Sequence, residues 1–374
     1  MDVLEKVKIL GDAGKWDACA SSASNRKVTT KDRIGDASAC GICHSFTENG
    51  RCISLFKTLM TNSCKFDCKY CQNSTHCERK KTTQYKPEEL AKVFMNLYVK
   101  NYVEGLFLSS GIVKNPDETT ENMLEAINLI RNKYKFQGYV HFKVLPGTNR
   151  DLIKQANETA DRLSINLEAP NHSRLSEISD IKDYKIDILR RQSYIKHLNP
   201  VAGQTTQLVV GGSDETDYEI LKMIDWEYEN MKLKRAYYSA FTPIQKTPLE
   251  FKDKTPLQRE HKLYQVDFMM RQYDIKLREF RDIMANGDLP KGDPKVHLAR
   301  ERFDKPIDIN EACYEDVIRI PGIGPQGAQK IMSLQHTGQK ITKRIQLHSM
   351  GIVLKRAEPF IKINGHSQQT LTAY

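Results

Sequence analysis

The chain has 374 residues, a hydrophobic fraction of 39% and a formal net charge of +10. This length predicts two or three domains with a sizeable core, and the absence of any run of about 18 apolar residues argues against a membrane span. The first ten residues lack the apolar stretch of a secretion signal, so we expect a cytoplasmic protein with no membrane contact. The positive charge favours a polyanionic partner.

The N-terminal segment, residues 1–52, is rich in cysteine. Seven of the nine cysteines fall between positions 19 and 71. Clustered cysteines in a chain without a secretion signal indicate metal ligands rather than disulfides. Cys40 and Cys43 form a C-x2-C turn, and Cys19 and Cys52 would complete a closed shell of four thiolates, with His44 as an alternative fourth ligand. We expect structural zinc or a second iron–sulfur cluster here, and a metal-free segment is the alternative.

A second cysteine group follows the first predicted strand. Cys64, Cys68 and Cys71 stand at C-x3-C-x2-C spacing within one short loop. Such a loop can turn three thiolates toward one point, and three ligands leave a four-iron cluster with one open iron. Zinc is the rival occupant, although structural zinc more often uses separated C-x2-C pairs. A loop without metal is the third alternative.

This loop resembles the signature of the radical S-adenosylmethionine (SAM) enzymes, which places an aromatic residue, here Tyr70, before the last cysteine. The resemblance implies a 4Fe–4S cluster on Cys64, Cys68 and Cys71, whose open iron is chelated by the amino and carboxylate groups of SAM. It also implies reductive cleavage of SAM to a 5′-deoxyadenosyl radical that abstracts hydrogen from a substrate. An electron donor such as flavodoxin or ferredoxin is then needed as a partner.

The middle of the chain, residues 53–285, alternates short apolar runs with amphipathic stretches. This alternation predicts an α/β domain with a parallel sheet. Six βα units are fewer than the eight of a full barrel. The resemblance to radical SAM enzymes implies a partial, TIM-like (β/α)6 barrel. The predicted strands are 53–61, 105–109, 139–145, 162–168, 206–210 and 235–241, and the predicted helices are 87–100, 118–134, 149–158, 183–197, 215–232 and 256–273.

Polar and glycine residues lie where these predicted strands end. In α/β barrels, ligand sites form at the carboxyl ends of the strands, so these residues should surround one mouth. The resemblance implies that the backbone at Ser109, Ser110 and Gly111 contacts the methionine part of SAM, although the sequence lacks the family's Gly-Gly-Glu. It further implies that Asn166 or Glu168 binds ribose. Tyr70 and the pair Gly211 and Gly212 are expected near adenine.

The C-terminal region, residues 307–374, follows a Gly/Pro/Asp-rich stretch that we interpret as a linker, residues 286–306. It contains two predicted helices joined by Pro321-Gly-Ile-Gly-Pro325, which resembles the helix–hairpin–helix motif of DNA repair and replication proteins. The resemblance implies a small all-α domain whose hairpin grips the DNA backbone without reading sequence. The candidate DNA-binding residues are Gly322, Ile323, Gly324, Gln326 and Lys330.

The charge of this region agrees with that interpretation. Between Arg319 and Lys362, eight basic residues stand against one acidic residue, a net of +7. Such asymmetry is the electrostatic footprint of nucleic-acid binding. The whole chain also resembles a family of DNA modification and repair radical SAM proteins. The sequence therefore predicts a radical SAM enzyme acting on DNA. The alternatives are an enzyme that modifies RNA or nucleosides, and a zinc-stabilised DNA-binding scaffold without activity.

Overall fold

The structure is a computed structural model, and it describes residues 2–17, 41–46, 52–77 and 81–367. The chain forms two compact units. The first comprises residues 1–215 and 222–260, and the second comprises residues 216–221 and 261–374.

The strands of the larger sheet are β1 Ile42–Phe46, β2 Cys52–Leu59, β3 Gly105–Ser109, β4 Tyr139–Lys143, β5 Arg162–Ser164, β6 Gln204–Val210 and β7 Leu233–Ala240. The helices up to β7 are α1 Val3–Ala13, α2 Pro87–Val99, α3 Pro116–Asn128, α4 Arg150–Thr159, α5 His172–Ile178, α6 Arg190–Leu198 and α7 Asp217–Asn230. The helix α8 Leu257–Tyr273 follows β7. Two π-helical turns, Leu129–Lys133 and Tyr184–Leu189, follow α3 and precede α6.

The larger sheet has the strand order β1-β2-β3-β4-β5-β6-β7. Strands β2 to β7 are parallel, and β1 pairs antiparallel with β2. Every residue of β3 is buried because both faces of this strand are covered. Gly105 starts β3 where a Cβ atom would lie 2.6 Å from the carbonyl oxygen of Tyr139, so a larger residue would separate β3 from β4. The predicted α/β fold with six parallel strands is confirmed, and β1 adds a seventh strand.

The strand β5 is shorter than predicted. It ends at Ser164, and its continuation meets β6 through an isolated bridge between Glu168 and Leu208 and a hydrogen bond of 3.3 Å from the Ile165 amide to the Thr205 carbonyl. Glu168 has a φ of +65°, which lies outside the extended region and ends regular pairing. The sequence pattern also missed α5, which is only seven residues long.

The second unit contains further helices and a three-stranded sheet of order β10-β9-β8. Its elements are α9 Leu277–Asp282, α10 Pro294–Arg302, β8 Ile307–Asp308, α11 Tyr314–Arg319, α12 Pro325–His336, α13 Arg344–Ser349, α14 Leu354–Ala357, a 3₁₀ turn Glu358–Phe360, β9 Ile361–Ile363 and β10 His366–Ser367. The expectation of an all-α domain is therefore wrong, because this unit also contains the short strands β8, β9 and β10. The interpretation of residues 286–306 as a linker does not agree with the structure. This range contains α10, and Ala299 of α10 belongs to the apolar core of the second unit.

The predicted second metal site lies partly outside the described residues. Cys19 and Cys40 lie outside them, and for Cys52 the structure gives only a place at the start of β2. Cys43 is half-buried on β1. The second metal site thus stays a prediction. In the described part of the chain, none of the helices combines the length and apolarity that crossing a bilayer requires.

Candidate functional site

A cavity opens at the carboxyl ends of the parallel strands in the first unit. It encloses about 1080 Å³ of empty space, including the part open to solvent. The three cysteines of the C-x3-C-x2-C loop line it together with residues from the ends of β3, β4, β5, β6 and β7. The predicted site residues on its wall are Cys64, Cys68, Tyr70, Cys71, Ser109, Ser110, Gly111, Asn166 and Glu168. The fold therefore brings the cysteine loop and most of the predicted SAM-binding positions to one place.

Backbone hydrogen bonds give the cysteine loop a fixed shape. The amide of Cys71 donates to the carbonyl of Cys68 at 3.0 Å. Two further amides point at sulfur: Phe66 donates to Cys64 at 3.4 Å, and Asn73 donates to Cys71 at 3.3 Å. Amides that face cysteine sulfur stabilise the thiolate form that binds iron.

The residues that follow β3 hold this loop through backbone hydrogen bonds. The amide of Gly111 donates to Thr61 at 2.8 Å, and Lys65 donates to the carbonyl of Ile112 at 2.7 Å. A Cβ atom on Gly111 would overlap the carbonyl oxygen of Ser63 and lie 3.2 Å from the Cβ of Cys64. Only glycine lets the two backbones approach this closely. Gly111 therefore has a role that the sequence did not reveal, since it seats the cysteine loop.

Asp67 anchors the loop on another side, and sequence reasoning missed it. Its carboxylate accepts a hydrogen bond from the Ser179 hydroxyl at 2.6 Å and one from the Asp180 amide at 2.7 Å. Burial raises the pKa of Asp67, but these hydrogen bonds outweigh it and hold the pKa below the ordinary value. Asp67 is 6% exposed, and its carboxylate fastens the loop to the residues that follow α5.

Glu168 is the centre of a buried polar network beside the cysteines. Its carboxylate contacts Lys182 at 3.1 Å and accepts from the Asn166 amide at 3.3 Å. Burial and the nearby Glu168 carboxylate raise the pKa of Tyr70 well above its ordinary value. Asn166 and Glu168 thus lie on the cavity as predicted, but the Glu168 carboxylate is already paired with a lysine that sequence reasoning missed.

The turn after α1 closes part of the cavity wall. Ala13, Trp16 and Asp17 line the cavity, and Asp17 forms an ion pair with Lys143 at the end of β4. The carbonyl of Trp16 accepts from the Gln207 side chain at 3.0 Å. Sequence reasoning missed this turn, since its partners are far away in the chain.

Gly211 and Gly212 do not line this cavity among the described residues, although they were expected near adenine. Gly211 has a φ of +81°, and its amide donates to the buried Glu215 carboxylate at 2.5 Å. A Cβ on Gly211 would overlap the Thr255 side chain. The pair forms a turn that packs against Thr255, and this explains why the chain needs glycine there.

The donor set fits an iron–sulfur cluster. In the metal-free chain, burial raises the pKa of Cys68 and raises that of Cys71 to about 12, so iron must displace a proton from each thiol on binding. Within the described residues, no three Cys, His, Asp or Glu side chains converge closely enough for one shared metal ion. A four-iron cluster makes a different demand, since each thiolate binds a separate iron.

Comparison with known protein families finds a match within this unit. Residues 58–226 match the family model of the radical SAM superfamily. This stretch is a radical SAM domain. The match contains the whole cysteine loop and the strands β3 to β6, which carry most of the cavity wall. A search of curated proteins gave no match.

Solved structures with a likeness to the chain are distant in sequence. Methylornithine synthase is 12% identical with a TM-score of 0.44 over 53% of this chain and 56% of its own. The FeFe-hydrogenase maturase HydG from Carboxydothermus hydrogenoformans is 13% identical with a TM-score of 0.45 over 57% of this chain and 50% of its own. A second HydG structure is 12% identical with a TM-score of 0.47 over 83% of this chain and 82% of its own. The chain thus spans about half the length of the first two.

The residues predicted to bind DNA lie in the second unit. Gly322, Ile323 and Gly324 form the turn between α11 and α12, and Gln326 and Lys330 are exposed on α12. Ile323 is 1% exposed and packs in the apolar core of this unit.

One of the basic residues counted in this region does not lie on the surface. Arg319 is buried and its guanidinium makes two hydrogen bonds of 2.7 Å to Glu279. It therefore does not contribute to an exposed basic surface.

Proposed function

We propose that this protein is a radical SAM enzyme that acts on DNA. The observation that supports it most is the convergence of Cys64, Cys68 and Cys71 on one cavity at the carboxyl ends of the parallel strands. When a 4Fe–4S cluster and SAM are bound there, they supply a 5′-deoxyadenosyl radical. The protein's own residues hold these groups and exclude water from them.

Each group of residues that lines the cavity has a role in this proposal. The three thiolates bind the cluster, and the backbone of Ser109 to Gly111 lies beside the loop that carries Cys64. Tyr70 and Asn166 present polar atoms where an adenosyl group would lie. Ala240 and Phe241, at the end of β7, supply apolar surface that limits access of water to a reactive intermediate.

The proposal that the substrate is DNA rests on the second unit. There, two helix pairs are joined by turns that contain Gly322 and Gly351, each with a φ of +85°. The Val353 amide donates to the carbonyl of Gly322 at 3.0 Å, so the two turns are packed together. The amides in the first turn of α12 lack intrahelical acceptors, as in any α-helix, and favour phosphate oxygens.

Exposed cations surround these turns and fit a phosphate backbone. The exposed basic side chains are Lys330, Lys340, Lys343, Arg344, Lys355 and Arg356. Arg344 and Arg356 also form ion pairs with Glu358 and Asp293, respectively, so the four lysines are the better phosphate candidates. Backbone contacts of this kind hold a duplex without selecting its sequence.

The test combines chemistry with binding. Anaerobically purified protein is assayed for 5′-deoxyadenosine release with duplex DNA, RNA of the same sequence or no nucleic acid. We expect duplex DNA to bind with a steep salt dependence and to stimulate turnover. Cys68→Ala should abolish SAM cleavage and leave duplex affinity unchanged. Equal weak binding of DNA and RNA would favour an RNA or nucleoside substrate, and a zinc-loaded protein without turnover would favour a scaffold.

A cytoplasmic location and an electron donor of the flavodoxin or ferredoxin type complete the proposal. Both follow from the chemistry, since a low-potential cluster needs a reducing compartment and a one-electron partner.

A further inference from the structure

Lys295 brings a buried amine to the turn between α11 and α12. It belongs to α10, and the residue is 6% exposed. Its side-chain nitrogen donates to the Ile323 carbonyl at 2.5 Å and lies 4.6 Å from the centre of the Tyr273 ring. Within the residues that the structure describes, this nitrogen has no carboxylate partner. A buried cation without an anion is costly, so this position favours an anion from outside the chain.

The Ile323 carbonyl and the Gly324 amide belong to one peptide group. A trans peptide is planar, and its C=O and N–H bonds point in opposite directions. Because the buried amine binds the carbonyl from inside the unit, the amide of the partly exposed Gly324 points away from that amine. Among the described residues, this amide has no backbone acceptor. A positive charge on Lys295 also polarises the peptide and makes the amide a stronger donor.

Neither backbone conformation nor internal packing requires glycine at position 324. Gly324 has a φ of −103° and a ψ of 177°, which other residues adopt without strain. Outside the adjoining residues, the nearest atom to a Cβ placed there would be the Tyr273 hydroxyl at 3.9 Å, an ordinary contact. Gly322 differs, since its φ is +85° and a Cβ would lie 2.5 Å from the Val353 carbonyl oxygen. A missing side chain beside an open amide lets a ligand approach the backbone closely.

We propose that Lys295 is a positioning residue for a DNA phosphate, holding the Ile323–Gly324 peptide with the Gly324 amide outward and placing its own charge behind the bound phosphate. This inference rests on the proposed function, because the phosphate belongs to a duplex held by the second unit. It gives Lys295 a role different from that of the exposed lysines, since it acts through the peptide and touches no phosphate itself.

Protonation of Lys295 then links phosphate binding to pH. Burial lowers the pKa of Lys295 to about 7, and a phosphate at the turn would raise it. Above pH 7 binding must take up a proton, so duplex affinity falls as pH rises. The titratable groups around the amine are Tyr273 of α8, Asp293 at the start of α10 and Arg356 of α14. Burial raises the pKa of Tyr273, which stays neutral, and the Asp293 carboxylate is engaged by Arg356 and by the Lys295 backbone amide at 2.9 Å.

The experiment measures duplex DNA affinity of the full chain at pH 6 and pH 9, at one salt concentration, together with thermal unfolding. Lys295→Met removes both the charge and the donor, and Lys295→Gln removes the charge but keeps a donor. Lys262→Met is the matched control, because its ammonium also donates to backbone carbonyls, those of Leu289 at 2.9 Å and Pro290 at 3.2 Å, outside the turn.

At pH 6 both Lys295 variants should bind duplex DNA roughly tenfold more weakly than wild type, the scale of one partly screened charge pair, and this loss should shrink at pH 9. Lys262→Met should match wild type at both pH values. Histidines also titrate near this range, but wild type and variants share them, so the ratio of affinities at each pH isolates Lys295.

A loss that shrinks from pH 6 to pH 9 in a folded Lys295 variant supports the inference. A loss of equal size at both pH values overturns it, since the amine would then only keep the shape of the turn. Wild-type affinity in the folded Lys295 variants, or an equal loss in Lys262→Met, also overturns it. Failure of both Lys295 variants to fold overturns it as well, because the amine would then serve the fold. A wild-type chain that binds no duplex at either pH would instead refute the proposed DNA substrate, and this inference would fail with it.

Discussion

Gly111→Ala tests whether the end of β3 seats the cysteine loop. The new methyl group would overlap the Ser63 carbonyl oxygen and lie 3.0 Å from the carbonyl carbon. Both neighbours are backbone, so relief requires the loop to move by about 1 Å. Misplacement of that size at a reacting centre costs on the order of 100-fold in rate. The global cost of such overpacking is smaller, at about 1–3 kcal/mol.

The assay compares iron per chain and the rate of 5′-deoxyadenosine formation with the thermal unfolding curve. We expect Gly111→Ala to stay folded, to bind less iron and to lose about two orders of magnitude in rate. Gly14→Ala is the matched control, because the nearest atom to its Cβ is 3.6 Å away, an ordinary contact. Full iron loading and a wild-type rate in Gly111→Ala would refute the argument that close backbone approach positions Cys64.

Three further predictions concern stability and DNA binding. Asp67→Asn should weaken the anchor of the cysteine loop by about 1–3 kcal/mol, seen as faster iron loss to a chelator. Because the pKa of Asp67 is lowered on folding, its contribution is present above the unfolded pKa and lost as pH falls through the folded one, so wild type and variant should converge in strong acid. Burial lowers the pKa of Lys295 to about 7, so the unfolded chain binds more protons above that pH and the free energy of unfolding should rise between pH 7 and 10. Urea titrations should show this slope in wild type and a flatter one in Lys295→Met, and identical slopes would contradict the assignment. Gly322→Ala would place a Cβ 2.5 Å from the Val353 carbonyl oxygen, whereas Gly338→Ala, at a similar positive φ, meets nothing within 4 Å. If the packed turns bind DNA, duplex affinity should fall at least tenfold in Gly322→Ala and not in Gly338→Ala. An equal loss in both variants would contradict DNA binding by these turns.

Local patterns predicted the architecture well. The strand Gly105–Ser109 was predicted with its observed bounds, since a short apolar run ends at a cluster of serines and a glycine. The predicted helix 183–197 is present, but its first part, Tyr184–Leu189, is a π-helical turn. Side-chain periodicity does not distinguish these two backbone hydrogen-bond patterns.

Distant contacts were beyond the reach of the sequence. Asp67 lies inside the cysteine loop, but its partners Ser179 and Asp180 are more than 100 residues away in the chain. Lys182 meets Glu168 only after folding, and nothing in the local sequence of either residue marks it. The strand β1 lies in a cysteine-rich segment with no regular alternation, so only its pairing with β2 reveals it. The cysteines themselves were predictable, because ligand spacing is a local property.

The most direct test of the account is an EPR spectrum of the reduced, anaerobically purified protein with and without SAM. The account predicts the signal of one 4Fe–4S cluster on Cys64, Cys68 and Cys71 that changes when SAM binds the open iron. That signal should disappear in the triple cysteine-to-alanine variant. A cluster signal that SAM leaves unchanged, or a colourless protein with one zinc ion in this loop, would contradict it.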